Sequence, residues 1–285
     1  VAASSVVNDG FATPKKKLGA AELLFRRADA MGLKPDWVTP GGLFAVRVGD
    51  REEYVNLARS PLNSHTGASL ARNKYLTRRI LERNNMKNIP FMLPSTHSEA
   101  VQFLDRHEKI IAKPISGSGA RDIHIITTSD ELIGLKIKKY ILEKYIDGKE
   151  LRYLVLNDSV IGVHLSEYGV SVAEDRQLER ISYPIDAWDQ ALVDSAVHTT
   201  RILGLRFAAV DFLVDDSGDA YILEVNTVPG LKWFHAPTSG PIVDVAGQFL
   251  EAILNNVGKS SMAGAIMRMQ CSDCLIYKDL DVKIA

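Results

Sequence analysis

Hydrophobic and polar positions alternate most clearly between Ala208 and Gly230. β-branched and aromatic residues run up to Asp215, the group Asp216-Ser217-Gly218-Asp219 breaks the run, and Tyr221-Ile222-Leu223 resume it. This predicts two strands joined by a tight acidic turn. A four-residue loop sets Val214 opposite Tyr221, Phe212 opposite Leu223 and Asp211 opposite Glu224. Residues two apart on a strand point the same way, so Asn226 joins the two acids on one face. Like charges directly opposed across a sheet are destabilising, and a hard cation offsets that. Two carboxylates and an amide are the oxygen donors magnesium takes, with substrate phosphates completing its shell. The plain alternative is a hairpin whose acids face water.

Upstream, Leu23, Leu24, Ala28 and Met31 fall on one helical face and Gly32 supplies a stop; Leu43 to Val48 and Tyr54 to Leu57 flank Gly49-Asp50 as a hairpin. Asn73 caps a helix carrying Tyr75, Leu76, Ile80 and Leu81. Lys74 then stands in the first turn, where the helix dipole disfavours a cation unless an anion is near. Thr96-x-x-Glu99 offers a capping box for a helix through Val101 and Leu104.

Ile110-Ile111-Ala112 is a short buried strand closed by Lys113-Pro114, Ser116-Gly117-Ser118-Gly119 is a loop, and Asp122 to Thr127 is a second strand. A Walker loop or a dinucleotide-binding turn feeds a helix, so this strand-to-strand loop is neither. Its small residues still let amides approach phosphate oxygens, and Lys113 supplies charge.

Lys139 to Ile146 reads as a strand ending at Asp147-Gly148, followed by strands over Glu150 to Leu156 and Val160 to Leu165. Glu150 and Arg152 share a face, either as a surface ion pair or, in a nucleotide cleft, as holders of a ribose hydroxyl and a phosphate. The pattern fades from Glu167 to Ile185, a long loop in which Arg176 and Arg180 stand out. Asp189 to Leu203 forms an amphipathic helix with Leu192, Ala196, Val197 and Leu203 inward and His198 structural. Pro241 begins a final helix burying Ile242, Val245, Phe249 and Ile253.

The 285 residues suffice for two or three lobes, and 46% hydrophobic with 24% charged is an ordinary globular balance. A formal net charge of -1 excludes a whole-chain nucleic-acid binder. No apolar run reaches the roughly 18 to 20 residues of a membrane span, and no signal-peptide core is present, which predicts a cytoplasmic protein with no membrane and no nucleic-acid partner. A homo-oligomer is admitted. Cys271 and Cys274 form a lone CxxC, too few ligands for a zinc site.

Taken in order, the lysine opening a helix, IIAKPISGSGAR, ILEKYIDGKELR, and AAVDFL with ILEVNTVPG resemble the ATP-grasp ligases across about residues 70 to 257. AAVDFL, ELRYLVL and NSHTGASLARNKYLTRRIL look most like the ligases that add glutamate to ribosomal protein tails, cyanophycin synthetase, and the C-terminal half of bifunctional glutathione synthetases. Ala209 stands where the D-alanine ligase branch has an arginine, which argues against that branch.

The resemblance implies an α+β ATP-grasp fold whose two lobes sandwich ATP. It divides the chain into a lead-in (1–17), a short N-terminal lobe (18–70), a central lobe (71–142), a C-terminal lobe (143–258) and a tail (259–285). It implies Lys74 and Lys113 on the phosphates under the Ser116 to Gly119 loop, and adenine against Glu143, Lys144, Tyr145 and Ile146. It also implies Glu150 on the ribose, magnesium on Asp211, Glu224 and Asn226, and Arg152 facing the transferring phosphoryl group. Arg176, Arg180, Lys232 and His235, with Trp233 beside them, are candidates for the substrate wall. The implied reaction is ADP-forming carboxylate-amine ligation of an amino acid or peptide through an acylphosphate. A small-molecule kinase on the same fold and a non-catalytic nucleotide-binding module are the alternatives.

Overall fold

The structure, a computed structural model, describes residues 19–49, 51–117, 122–165 and 180–256. The lead-in, Asp50, Ser118, Gly119, Arg176 and the tail with its two cysteines lie outside the described residues. Helices alternate with antiparallel sheets in an α+β arrangement. Helix α1 (Ala20–Ala30) precedes a three-stranded sheet of β1 (Asp36–Thr39), β2 (Leu43–Val48) and β3 (Arg51–Asn56). Helices α2 (His65–Arg72) and α3 (Lys74–Arg83) lead to β4 (Phe91–Met92), α4 (His97–His107), β5 (Ile110–Pro114), β6 (His124–Ile126) and β7 (Tyr140–Lys144). Those four strands pair in the order β4-β7-β5-β6.

Next come β8 (Lys149–Leu156), β9 (Ser159–Leu165), β10 (Ser182–Tyr183), α5 (Gln190–Ile202), β11 (Phe207–Val214) and β12 (Ala220–Asn226). They form a five-stranded sheet in the order β10-β9-β8-β11-β12, so β12 is an edge. A short α6 (Lys232–His235) and a helix α7 over 245–256 complete the described chain. No helix among the described residues is long and apolar enough to cross a membrane.

The five-stranded sheet is buried on two faces for two reasons. Tyr153, Val155, Val163, Ala208, Val210 and Phe212 form one core with Ala196 of α5 and Leu81 of α3. On the other face Leu154, Leu156, Phe207 and Ala209 pack beneath Leu24 of α1, Phe44 of β2 and Phe249 of α7. Gly162 lies under the Phe234 ring, where an added Cβ would come within 2.7 Å of ring carbons. Further along this second face, the period of two delivers Arg152 and Glu150 on β8 and Asp211 on β11. There the apolar cover gives way to charge.

Four local expectations need correction. The final helix starts at 245, not at Pro241, and Ile242 is 72% exposed; the cap is Asp244, whose Oδ1 accepts the Gly247 amide at 2.9 Å. Glu99 closes its box one residue early, accepting the Ser95 amide at 2.7 Å, while Thr96 accepts the Glu99 amide. Strand β10 occupies part of the stretch read as patternless. On α3 the buried residues are Thr77, Arg78 and Leu81, and Leu76 is 39% exposed, because this helix packs into a polar seam between two sheets.

Candidate functional site

Asp211 lies directly opposite Glu224, as the hairpin pattern predicts, but by a different route. The pairs nearer the tip are Phe212 with Ile222, Leu213 with Tyr221 and Val214 with Ala220, each one residue off the expected register. The Asp215 amide donates to the Asp219 carbonyl at 3.0 Å, leaving a three-residue loop with Gly218 at φ +85. The register then slips by one between Asp211 and Phe212, so that β12 carries one extra residue at Leu223. Loop and bulge are each one residue away from the simple hairpin, and the two offsets cancel at the acids. The bulge also explains how Ile222 and Val225 both enter the apolar core although they are three apart.

Reading the pairings across the whole sheet gives one row of facing residues: Ser182 on β10, His164 on β9, Arg152 on β8, Asp211 on β11 and Glu224 on β12. Arg152 grips Asp211 with both ends of its fork, Nε to Oδ1 and Nη2 to Oδ2 at 2.7 Å each. One guanidinium does not balance this neighbourhood. Burial raises the Glu224 carboxyl above the usual carboxylate range and the adjacent Asp211 charge raises it further, against the pull of Arg152 and Lys74. Burial pushes Glu150 up to about 8, and the charges of Asp211 and Glu224 add to it. Asn226 follows on β12, opposite Ala209, with its Oδ1 accepting the Val228 amide at 3.1 Å.

On the facing side the charge is reversed. Lys113 Nζ donates to Glu143 Oε2 at 2.8 Å and Arg78 Nε donates to Oε1 at 2.7 Å. Glu143 is only 1% exposed. Burial alone would raise its carboxyl, but the Arg78 and Lys113 charges reverse the effect and hold it at about 2. Lys74 Nζ donates to the Gly117 carbonyl at 3.0 Å and its amide to the Ile115 carbonyl at 2.8 Å, so the first turn of α3 grips the start of the glycine-rich segment, and Asn73 bridges Ser116. Burial lowers the Lys74 ammonium, with Glu224 pulling it back up and Lys113 pushing further down. Lys74 is therefore within electrostatic reach of both the phosphate-type lysine and the acidic row. The anion expected beside a first-turn lysine is thus a protein carboxylate, Glu224.

Lys144, Tyr145 and Ile146 continue from β7 and line a cleft of about 320 Å³ with Asp215, Asp216 and Tyr221 of the hairpin tip. Lys109 stands 3.6 Å over the Tyr145 ring. A larger hollow of about 600 Å³ lies against α5, lined by Trp188, Val193 and Arg201. It is lined by Asp158 and Asp194 but contains neither Lys74 and Lys113 nor the carboxylates Asp211 and Glu224, so chemistry rather than volume selects the site.

Arg180 and Lys232 both meet the Trp233 ring, at 5.4 and 4.4 Å from its centre. His235 is set apart. Its Nε2 accepts the Ala246 amide at 3.1 Å at the start of α7, beside Asp244 and Arg27, and burial lowers its pKa. That nitrogen secures a helix start.

Two residues of the row escape sequence reasoning. His164 and Ser182 are buried, and His164 Nε2 and Ser182 Oγ have no hydrogen-bond partner among the described residues. Burial, helped by the Arg152 charge, lowers His164 to about 4, so it is neutral near pH 7. The available signal was a lone histidine in the strand Val160 to Leu165, whose partner strand carries Arg152. Arg78 escapes as well, although it sits one turn beyond Lys74 on the same face of α3.

The residues present fit a nucleotide with a divalent cation. The acidic row with Glu150 beside it carries an excess of carboxylates, seen in the raised Glu224 and Glu150, while the lysine side carries three cations, Lys74, Lys113 and Arg78, against Glu143. Asp211 and Glu224 face each other on paired strands, and Asn226 lies two residues beyond Glu224 on the same strand.

Known proteins resemble this chain in sequence and in fold. The tetrahydromethanopterin:alpha-L-glutamate ligase of Methanocaldococcus jannaschii is 26% identical over 225 residues, 72% of this chain and 74% of that protein. A D-alanine–D-alanine ligase of Trichlorobacter lovleyi is 26% identical over 182 residues, 58% of this chain and 52% of its own length, so the similarity reaches that branch despite Ala209. The bifunctional glutathione synthetase of Pasteurella multocida superposes with a TM-score of 0.62 at 16% identity, covering 83% of this chain and 44% of that one. The chain thus spans about three quarters of the first relative and about half or less of the other two. Residues 71–229, more than half of the chain, match the ATP-grasp domain, and the chain belongs to that family.

Proposed function

We propose that this protein is an ATP-dependent, ADP-forming ligase that joins an amino acid or peptide carboxylate to an amine. The observation that carries the reading is the pairing of opposites across the site: Lys74 and the Lys113–Arg78 pair on one side, Asp211, Glu224 and Glu150 on the other. A phosphate chain bearing a cation matches that polarity. Asp211, Glu224 and Asn226 would hold magnesium, which when bound supplies neutralisation of the phosphate charge.

Lys74 and Lys113 bind phosphate oxygens, and Ser116 to Gly119 offer amides to the same groups. Lys144, Tyr145 and Ile146, following Glu143, flank the adenine, and Glu150 accepts from a ribose hydroxyl. The substrate carboxylate attacks the γ-phosphorus as the bond to ADP breaks, and the amine nitrogen then attacks the acyl carbon as phosphate leaves, giving an amide. Arg152, in the row beside Asp211, stabilises the charge on the phosphoryl group in transit. Arg180 and Lys232, both against the Trp233 ring, form a cationic side suited to a carboxylate-bearing substrate. The glutamate and amino-acid ligases among the relatives support this class of substrate.

The test is phosphate release from ATP with panels of amino acids and short peptides. Release that requires both a carboxylate and an amine supports the ligase. A stable phosphorylated product from one substrate overturns it in favour of a kinase. Lys113→Ala is expected to weaken ATP binding by about tenfold or more, measured by calorimetry; unchanged affinity removes the phosphate role.

A further inference from the structure

Arg78 has no place in the chemistry above, yet it is one of the most committed side chains of the molecule. It lies on α3 and is 3% exposed. Nε donates to Glu143 Oε1, Nη1 to Asn88 Oδ1 at 2.9 Å and to the Ile222 carbonyl, and Nη2 to the Leu223 carbonyl at 2.9 Å. Asn88 returns a bond from Nδ2 to the Arg78 carbonyl at 2.9 Å and forms an isolated bridge with Ile222.

The two carbonyls are not arbitrary. Strand β12 is the sheet edge, so its outward backbone groups lack a ladder partner. Ile222 and Leu223 mark the bulge that slips the register immediately before Glu224. A bulge leaves a residue outside regular pairing, and its geometry holds only where something else fixes it. One planar guanidinium does so here, and its remaining donor reaches Glu143, the carboxylate that also holds Lys113.

We propose that Arg78 is a positioning residue that clamps the β12 bulge from α3 and ties it to Glu143 of the neighbouring sheet. It thereby fixes Glu224 and Asn226 relative to Lys113. This rests on reading Asp211, Glu224 and Asn226 as the metal-holding set and Lys113 as a phosphate ligand. An arginine is required because its fork serves four separate acceptors, Glu143, Asn88 and the Ile222 and Leu223 carbonyls, whereas a lysine at this depth keeps the charge beside Glu143 and loses the two-carbonyl grip.

Arg78→Lys therefore separates clamp from charge. ADP affinity of the full chain is measured by calorimetry with magnesium and again with a chelator, for the natural sequence, R78K and Asn88→Ala. The expected result is that the affinity gained on adding magnesium shrinks at least tenfold in R78K, while affinity without metal changes less than threefold. N88A, which removes one support of the guanidinium, shrinks the gain by about threefold. In metal-free protein, the amides of residues 222–226 exchange with solvent at least tenfold faster in R78K than in the natural sequence. A magnesium gain that survives in both variants overturns the clamp alone, as does an equal loss with and without metal. No magnesium gain in the natural sequence overturns the metal reading and the clamp with it. If R78K does not fold, N88A decides by the same two outcomes.

Discussion

Two buried charge assemblies face each other in this protein, and they are built on opposite rules. Around Glu143, two cations close on one carboxylate, both oxygens are bonded, and the acid is held at about 2. Around Asp211, one guanidinium serves a neighbourhood of three carboxylates, and two of the acids, Glu224 and Glu150, are raised rather than lowered. The first assembly is complete within the chain. The second carries more carboxylate charge than Arg152 balances, seen in the raised Glu224 and Glu150. Buried charges that satisfy one another hold a fold together, and buried charges left in conflict mark where a ligand belongs.

The contrast is broken most severely at Glu143. Replacing it with Gln leaves Arg78 and Lys113 buried without their counter-charge, an expected loss of about 3 to 5 kcal/mol of stability by urea unfolding. Glu224→Gln should do the reverse. It relieves a like-charge conflict, so the metal-free protein keeps or raises its melting temperature while ATP turnover falls about 10²- to 10³-fold or more in a phosphate-release assay. Near-normal turnover removes Glu224 from the site, and a drop in stability like that of Glu143→Gln erases the distinction between the assemblies.

A smaller effect sharpens the picture at the row's far end. His164 is held at about 4 in the folded state against about 6.5 unfolded. As pH falls below 6.5 the unfolded chain binds the proton first, so stability declines toward pH 4, by about 2 kcal/mol at pH 5. His164→Phe keeps an aromatic ring against Phe234 and should flatten that part of the pH profile. An unchanged profile excludes His164 as its source.

The paired strands, the Lys113 strand and the shared face of Glu150 and Arg152 were legible because each depends on a period of two or a single turn. The exact tip of the hairpin was not: Asp215 and Asp219 are equally at home in a turn, so loops of three and four residues read alike, and a bulge leaves no mark in the pattern of a strand. Arg78 was illegible for a stronger reason. An apolar stripe predicts which helix face is buried, and α3 buries Thr77 and Arg78 instead, because the seam it enters is lined with carbonyls and a carboxylate. The row through His164 and Ser182 needs strand order, which no local pattern supplies.

The slip at Leu223 separates the hairpin into two parts that can be altered independently. Below it, Glu224 stands opposite Asp211; above it, the tip is held by its own turn and by Lys87, which donates to Asp219 and stands over the Tyr221 ring. Asp216 and Ser217 thus make the tip one wall of the cleft beside Tyr145, so a change of loop length there reshapes that cleft from beyond the slip that sets Glu224 opposite Asp211.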